Sequence, residues 1–199
     1  MLDKEIVLAS ASPRRLELLK QIGLEFTVCP AHVNETVDKH LEAQDIVKKL
    51  SMDKALKVAE SLKGDFIVIG SDTVVWCDEI LGKPKSKEQA FDMLSKLSGR
   101  WHKVYTGICV VDSEGKKTVD YEVTDVKIRK LEVNEINGYI NTKEPMDKAG
   151  GYGIQGIGAL LVERIEGCYF NVVGLPLTKF ANILGKYGVN QLENQEGRL

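Results

Sequence analysis

The run Phe66-Ile-Val-Ile-Gly70 narrows what this chain can become more than any other stretch. With no polar side chain to turn toward water, a strand here must be covered on both faces. A sheet with helices on both sides meets that demand, which is an α/β architecture. Glu5–Ala9 (EIVLA) reads as a second short buried strand. It runs into Ser12-Pro13, a capping residue followed by proline at the first helical position. Leu16, Leu19 and Ile22 then recur at helical spacing, and Gly23 stands where a helix ends. A longer helix is expected over 42–62, with Val47, Leu50 and Val58 on one face.

Ser86-x-x-Gln89 is a capping-box pattern opening a helix that carries Ala90, Leu94 and Leu97 and closes at Gly99. Residues 103–111 and 119–128 read as two strands about the turn at 113–115. Alternation in the second slips between Val123 and Val126, which predicts a bulge there. A helix near 132–141 precedes the glycine-rich DKAGGYGIQG, followed by a strand over 159–164, a turn at Glu166-Gly167 and a last helix begun by Pro176. The tail beyond Gly188 is polar and expected to fray. With no repeat and no low-complexity linker, one α/β domain over residues 1–199 is the simplest organisation.

A net charge of −2 argues against nucleic acid as the main partner, because duplex binders carry a basic stripe. Cys29, Cys77, Cys109 and Cys168 are far apart and form no CxxC pair, which reads as reduced thiols in a cytosolic protein. His32, His40 and His102 are equally scattered, so any catalytic metal must rest on carboxylates and water, which suits Mg²⁺ or Mn²⁺ better than zinc. The N-terminus lacks a signal-like apolar stretch, and no segment is long enough to span a bilayer, so a cytoplasmic location is expected.

Several segments carry candidate chemistry. Ser10, Ser12, Arg14 and Arg15 cluster at a helix start, where backbone N–H groups and the dipole favour an anion and the arginines add bidentate donors; a capped helix with solvated arginines fits the same pattern. Lys54 lies on the row Leu50, Lys54, Val58, so its stem follows the apolar face, as that of a snorkelling lysine also would. Gly70-Ser71-Asp72-Thr73 comes directly after the covered strand, where open α/β sheets place ligand groups. Asp72 there either binds metal and orients water or caps a turn. Leu81-Gly82-Lys83-Pro84 is a rigid turn presenting one lysine, without the glycine spacing of a P-loop. Gly151-x-Gly153-x-x-Gly156 matches a dinucleotide pattern but lacks a strand before it and a helix after it, so that reading is rejected. Four cations, one or two acids and a glycine-rich loop suit a polyphosphate with a metal better than an acyl or glycosyl substrate. No GxSxG elbow is present, and Glu144 and Asp147 are too isolated for a glycosidase pair.

Taken in order, LASASPRRLELL (8–19), GSDTVV (70–75), LGKP (81–84), LSGRWHKVYTG (97–107), EPMDKAGGYGIQG (144–156) and YFNVVGLP (169–176) resemble the Maf family of nucleotide pyrophosphatases over nearly the whole chain. The resemblance implies an elongated mixed β-sheet flanked by helices, similar to inosine triphosphate pyrophosphatases, and a homodimer. It implies that Asp72 is the general acid–base residue and that Arg14, Arg15, Lys54 and Lys83 bind the triphosphate. It places Ser10 and Glu35 near phosphate and metal, although Asn34 stands where the family often has an acid. Arg14, Thr73 and Gln155 resemble the branch acting on dTTP and UTP, against a sister branch acting on 7-methyl-GTP. Such an enzyme needs a divalent metal and can also remove modified pyrimidine nucleotides. Rival readings are a nucleotide-sensing regulator of cell division and a nucleic-acid-binding protein.

Overall fold

The computed structural model describes residues 4–33 and 41–193. The chain forms two compact units. The first draws on residues up to Asp72, on Thr106–Glu122 and on residues from Gly174 onward; the second comprises Thr73–Tyr105 and Val123–Val173. The strands are β1 (Glu5–Leu8), β2 (Thr27–Val28), β3 (Phe66–Cys77), β4 (Glu79–Leu81), β5 (Trp101–Asp112), β6 (Lys117–Ile128) and β7 (Val162–Glu166). The helices are α1 (Pro13–Gln21), α2 (Ala43–Ala59), α3 (Lys87–Leu97), α4 (Val133–Asn141), α5 (Tyr169–Val173) and α6 (Leu177–Gly185). Together the strands make a seven-stranded sheet in the order β2-β1-β3-β5-β6-β7, with β4 paired to β3. The sheet is mixed: β1 runs parallel to β2 and β3, while β4 and β7 pair antiparallel.

In the first unit, β1 and β3 lie in register from Glu5↔Phe66 to Leu8↔Ile69. Ile67, Val68 and Ile69 are fully buried, as an apolar run covered on both faces must be. α2 lays Ala55 and Val58 against Val7, Val68, Cys109 and Val111. Its approach to the sheet is close because two strand positions carry no side chain. A Cβ on Gly70 would lie 2.1 Å from the Ser51 carbonyl oxygen, and one on Gly107 2.1 Å from that of Val47.

In the second unit, α3 and α4 pack with β-strand residues around Leu94, Leu97, Val126, Ile128 and Ile140. α3 starts where Ser86 Oγ accepts from the Gln89 amide at 3.2 Å, but the Gln89 side chain accepts from Lys85 instead of closing the reciprocal bond. The full capping box is at α4, between Glu132 and Glu135. Arg129 grips Glu135 with two donors and, with the Glu132 amide, holds its carboxyl down at about 2.

Four expectations need correction. The strand does not end at Gly70 but runs twelve residues to Cys77, so Ser71, Asp72 and Thr73 lie within it. Alternation in β6 does not slip at 123–126: Thr124, Val126 and Ile128 all turn inward, and the apparent break is a buried threonine whose hydroxyl is satisfied by Cys168 and Asn171. The register irregularity toward β7 falls between Lys127 and Ile128. Residues 159–161 belong to a 3₁₀ helix, Gly156–Leu161, with the strand beginning only at Val162. Of the tail expected to fray, Val189 is buried and its N–H donates to Leu184 O at 3.2 Å, while residues 194–199 lie outside the described residues. α5 has no counterpart in the pattern reading. All four cysteines are free thiols, and burial pushes Cys109 up to about 12.

Candidate functional site

Successive residues of a strand point to opposite faces, so Val68, Gly70 and Asp72 share the face toward α2 and Ser71 the other. Lys54, on the buried stripe of α2, reaches Asp72 Oδ1 with its Nζ at 2.6 Å. Both side chains are about nine-tenths buried (10% and 12% exposed), so this is an enclosed ion pair and not a lysine extended to solvent. The helix presents Lys54 at that point because Gly70 lets its backbone settle against the strand. The pair fixes the Asp72 carboxylate through one oxygen, and a carboxylate has a second with which to hold a water or cation.

On the opposite face, Ser71 Oγ donates to Gly174 O at 3.1 Å. Arg15 Nε donates to the same carbonyl at 2.8 Å, and Arg15 Nη1 donates to Ser10 Oγ at 3.2 Å. Ser10, Arg15, Ser71 and Gly174 therefore form one connected group at the start of α1. Ser12 takes the N-cap position without a side-chain cap; instead its N–H donates to Ser10 Oγ at 3.2 Å. The adjacent arginines divide their work, Arg15 turned inward and Arg14 half-buried. First-turn amides of a helix and an arginine beside them make a place for an anion.

The second unit holds Thr73, Lys83 and Gln155. Thr73 is half-buried, and Lys83 is exposed on the turn that follows β4. That turn is tied to the glycine-rich loop, because Gly150 N donates to Gly82 O at 3.0 Å. Gln155 is half-buried at the start of the 3₁₀ helix in an extended conformation, and its side chain makes no capping bond. Beneath the loop, His102 Nε2 and Tyr152 Oη lie 2.6 Å apart, both buried. Burial lowers His102 to about 4, and its Nδ1 has no hydrogen-bond partner. Glu35 lies outside the described residues. The structure thus joins Ser10 with Arg15 and Lys54 with Asp72 in one unit, and links the Lys83 turn to the Gln155 loop in the other.

The Maf-like protein family model matches residues 5–187. The chain belongs to the Maf family. Among curated Maf relatives, a dTTP/UTP pyrophosphatase of a Thermoanaerobacter species is 54% identical over 183 residues, covering 90% of this chain and 95% of that protein. One from Acetivibrio thermocellus is 50% identical over 196 residues, covering 95% and 98%. One from Alkaliphilus oremlandii is 52% identical over 182 residues, covering 91% and 95%. Among solved structures, the Staphylococcus aureus Ham1 protein is similar at a TM-score of 0.43 and 19% identity, over 80% of each chain. A dITP/XTP pyrophosphatase from Mycobacterium abscessus gives 0.41 and 17%, over 62% of this chain and 74% of that one.

A hard divalent cation working on a triphosphate is held by one or two carboxylates plus phosphate oxygens, not by an all-protein cage. Asp72 is a buried carboxylate that Lys54 holds through one oxygen, so it can serve as one such donor. Sequence reasoning passed over Tyr139 and weighed Glu144 only as a glycosidase acid, whereas their bonds enclose the Gln155 loop. The signal available was the acid before Pro145, immediately upstream of the glycines. Among the described residues, no helix is long and apolar enough to cross a membrane.

Proposed function

We infer that the chain hydrolyses nucleoside triphosphates, dTTP and UTP foremost, to the monophosphate and pyrophosphate. Water attacks the α-phosphorus, the bond to the β-phosphate oxygen breaks, and negative charge gathers on the leaving pyrophosphate. Asp72 aligns that water and accepts its proton, and the observation that carries this role is the enclosed Lys54 ammonium holding the carboxylate at 2.6 Å. Arg14, beside the first-turn amides of α1, binds phosphate oxygens, while Arg15 and Ser10 fix the segment that presents them. Lys83 adds a further cation for the phosphates, and Thr73 with Gln155 selects the base. The Gln155 amide offers a donor and an acceptor, which match O4 and N3–H of uracil or thymine and, held in that sense, oppose the edge of cytosine.

Asp72 and Glu35 are the residues that would hold a Mg²⁺ or Mn²⁺ ion, which when bound neutralises phosphate charge. The pyrophosphatase domain is proposed to run through residues 1–199, in a homodimeric cytoplasmic protein whose substrates include modified pyrimidine nucleotides. Support for the substrate comes from relatives at 46–54% identity that carry the name dTTP/UTP pyrophosphatase. The test is pyrophosphate release from a panel of dTTP, UTP, CTP, ATP, GTP, 7-methyl-GTP and 5-methyl-UTP, with and without Mg²⁺ or Mn²⁺. Release from dTTP and UTP ahead of the others is expected. Tight nucleotide binding with no release from any of them would instead establish a sensor.

A further inference from the structure

Tyr139, in the last turn of α4, and Glu144, which opens the 3₁₀ turn Glu144–Asp147, have no role in the chemistry above. Glu144 Oε1 accepts from Tyr139 Oη at 2.9 Å and from Gly158 N at 3.0 Å, and Glu144 Oε2 accepts from Ile157 N at 3.1 Å. Tyr139 Oη in turn accepts from Gly153 N at 3.1 Å. Two side chains thereby take hold of the backbone on both sides of Gln155, at Gly153 before it and at Ile157 and Gly158 after it. Burial pushes the Tyr139 phenol upward, so it stays a neutral donor. The glycines are what admit the pair. A Cβ on Gly156 would sit 2.8 Å from Glu144 Oε2, and one on Gly158 would sit 2.5 Å from Tyr139 Oη.

We propose that Tyr139 and Glu144 are positioning residues for pyrimidine recognition, setting the backbone of residues 153–158 and with it the place at which the Gln155 amide is presented. The proposal rests on Gln155 reading the base. A two-point contact to a base edge discriminates only while its donor and acceptor are held within about 0.5 Å of the productive geometry. A carboxylate accepting two backbone N–H groups supplies that hold, because charge-assisted bonds are shorter and stronger than neutral ones. A brace serving stability alone lowers the melting temperature and leaves base choice intact.

The measurement is kcat/KM for UTP and CTP on the full chain and on Gln155→Ala, Glu144→Gln, Tyr139→Phe and the double variant Tyr139→Phe/Gln155→Ala, at a temperature where circular dichroism shows each folded. Gln155→Ala is expected to narrow the UTP/CTP ratio by about 5–100-fold. Glu144→Gln and Tyr139→Phe should narrow it by at least about threefold, chiefly through a higher KM for UTP, since the orienting shell and not the reacting groups has changed. The double variant should narrow it no further than Gln155→Ala, the non-additivity of residues acting through one contact. Should Gln155→Ala narrow the ratio while both brace variants keep it, the brace is structural only and the proposal falls. A ratio preserved in Gln155→Ala overturns the base-reading assignment first, and this proposal with it. Tyr139→Phe, which removes one hydroxyl, decides the matter if Glu144→Gln does not fold.

Discussion

Replacing Gly70 by alanine puts a methyl group where a hydrogen was, and in this protein it has nowhere to go. The new Cβ would lie 2.1 Å from Ser51 O and 2.9 Å from both the nitrogen and the Cβ of Ala55, all on α2. Backbone atoms cannot rotate aside, so the helix must withdraw by about 1.3 Å to restore an ordinary contact. Overpacking of this kind costs about 1–3 kcal/mol. The same withdrawal stretches the 2.6 Å bond from Lys54 to Asp72 beyond hydrogen-bonding reach, and losing a bond between charged groups costs about 1.5–3 kcal/mol more. Restricting the unfolded chain returns about 0.4–1 kcal/mol. The net expectation is a loss of about 1.5–5.5 kcal/mol, a large share of a typical domain's stability. Gly138→Ala is the matched control. It sits inside α4 with nothing within 4 Å of its added Cβ, so the same chemical change should stabilise by about 0.5–1 kcal/mol. Urea unfolding of the two variants beside the parent reads both, and pyrophosphate release from UTP reads the displaced Lys54. A Gly70→Ala protein as stable and as active as the parent would refute the argument that α2 is seated on that glycine.

Asp72→Asn keeps the shape of the side chain but leaves the enclosed Lys54 ammonium facing a neutral amide, so it should lower stability by about 1.5–3 kcal/mol while lowering turnover on dTTP by roughly 10²–10⁴-fold; near-normal turnover in the folded variant would remove Asp72 from the chemistry. Arg14→Ala and Lys83→Ala should each lower kcat/KM for UTP through loss of a charge-assisted phosphate contact, and an unchanged value in both would mean that neither cation meets the phosphates. His102 is buried neutral and lowered to about 4, whereas in the unfolded chain it titrates near 6.5. Between those values the unfolded state binds a proton that the folded state refuses. Stability is therefore fully present above about pH 6.5 and declines toward pH 4, by roughly 3 kcal/mol across the window. Unfolding midpoints at pH 7 and 4.5 should show a shallower decline for His102→Asn, and equal slopes would contradict the assignment.

Much of the arrangement was legible from residue order. The FIVIG run required two-sided cover and received it, because burial of an unbroken apolar stretch has no other solution. Lys54 was placed on the correct helix row, but its destination was not legible. A lysine stem on an apolar face looks the same in sequence whether the ammonium reaches water or an aspartate eighteen positions away, and only the fold brings the two to 2.6 Å. The Ser71-Asp72 pair reads as a loop by composition, since polar residues usually end a covered strand. Here each finds a partner, Gly174 O on one face and Lys54 on the other, so the strand continues through them. Residues 159–161 are apolar and run straight into β7 in the sequence, yet the preceding N–H groups of Ile157 and Gly158 are taken by Glu144, which curls the chain into a 3₁₀ turn before β7 can start. Arg14 and Arg15, neighbours of one type, have unlike fates because α1 turns one of them inward, and no local pattern separates them.

The chain passes between its two units at 72/73, 105/106, 122/123 and 173/174. The first three of these passages fall inside β3, inside β5 and inside β6. Neither unit is therefore a stretch of gene. A single cut anywhere in the coding sequence divides the first unit, a cut within residues 73–173 divides the second as well, and no single cut by a protease releases either one free of the other. A half of this protein cannot be traded between lineages as a module. It has to change by substitution within a whole chain, and Asp72 and Thr73, proposed for acid–base chemistry and for base selection, stand on the two sides of one peptide bond where the chain leaves one unit for the other.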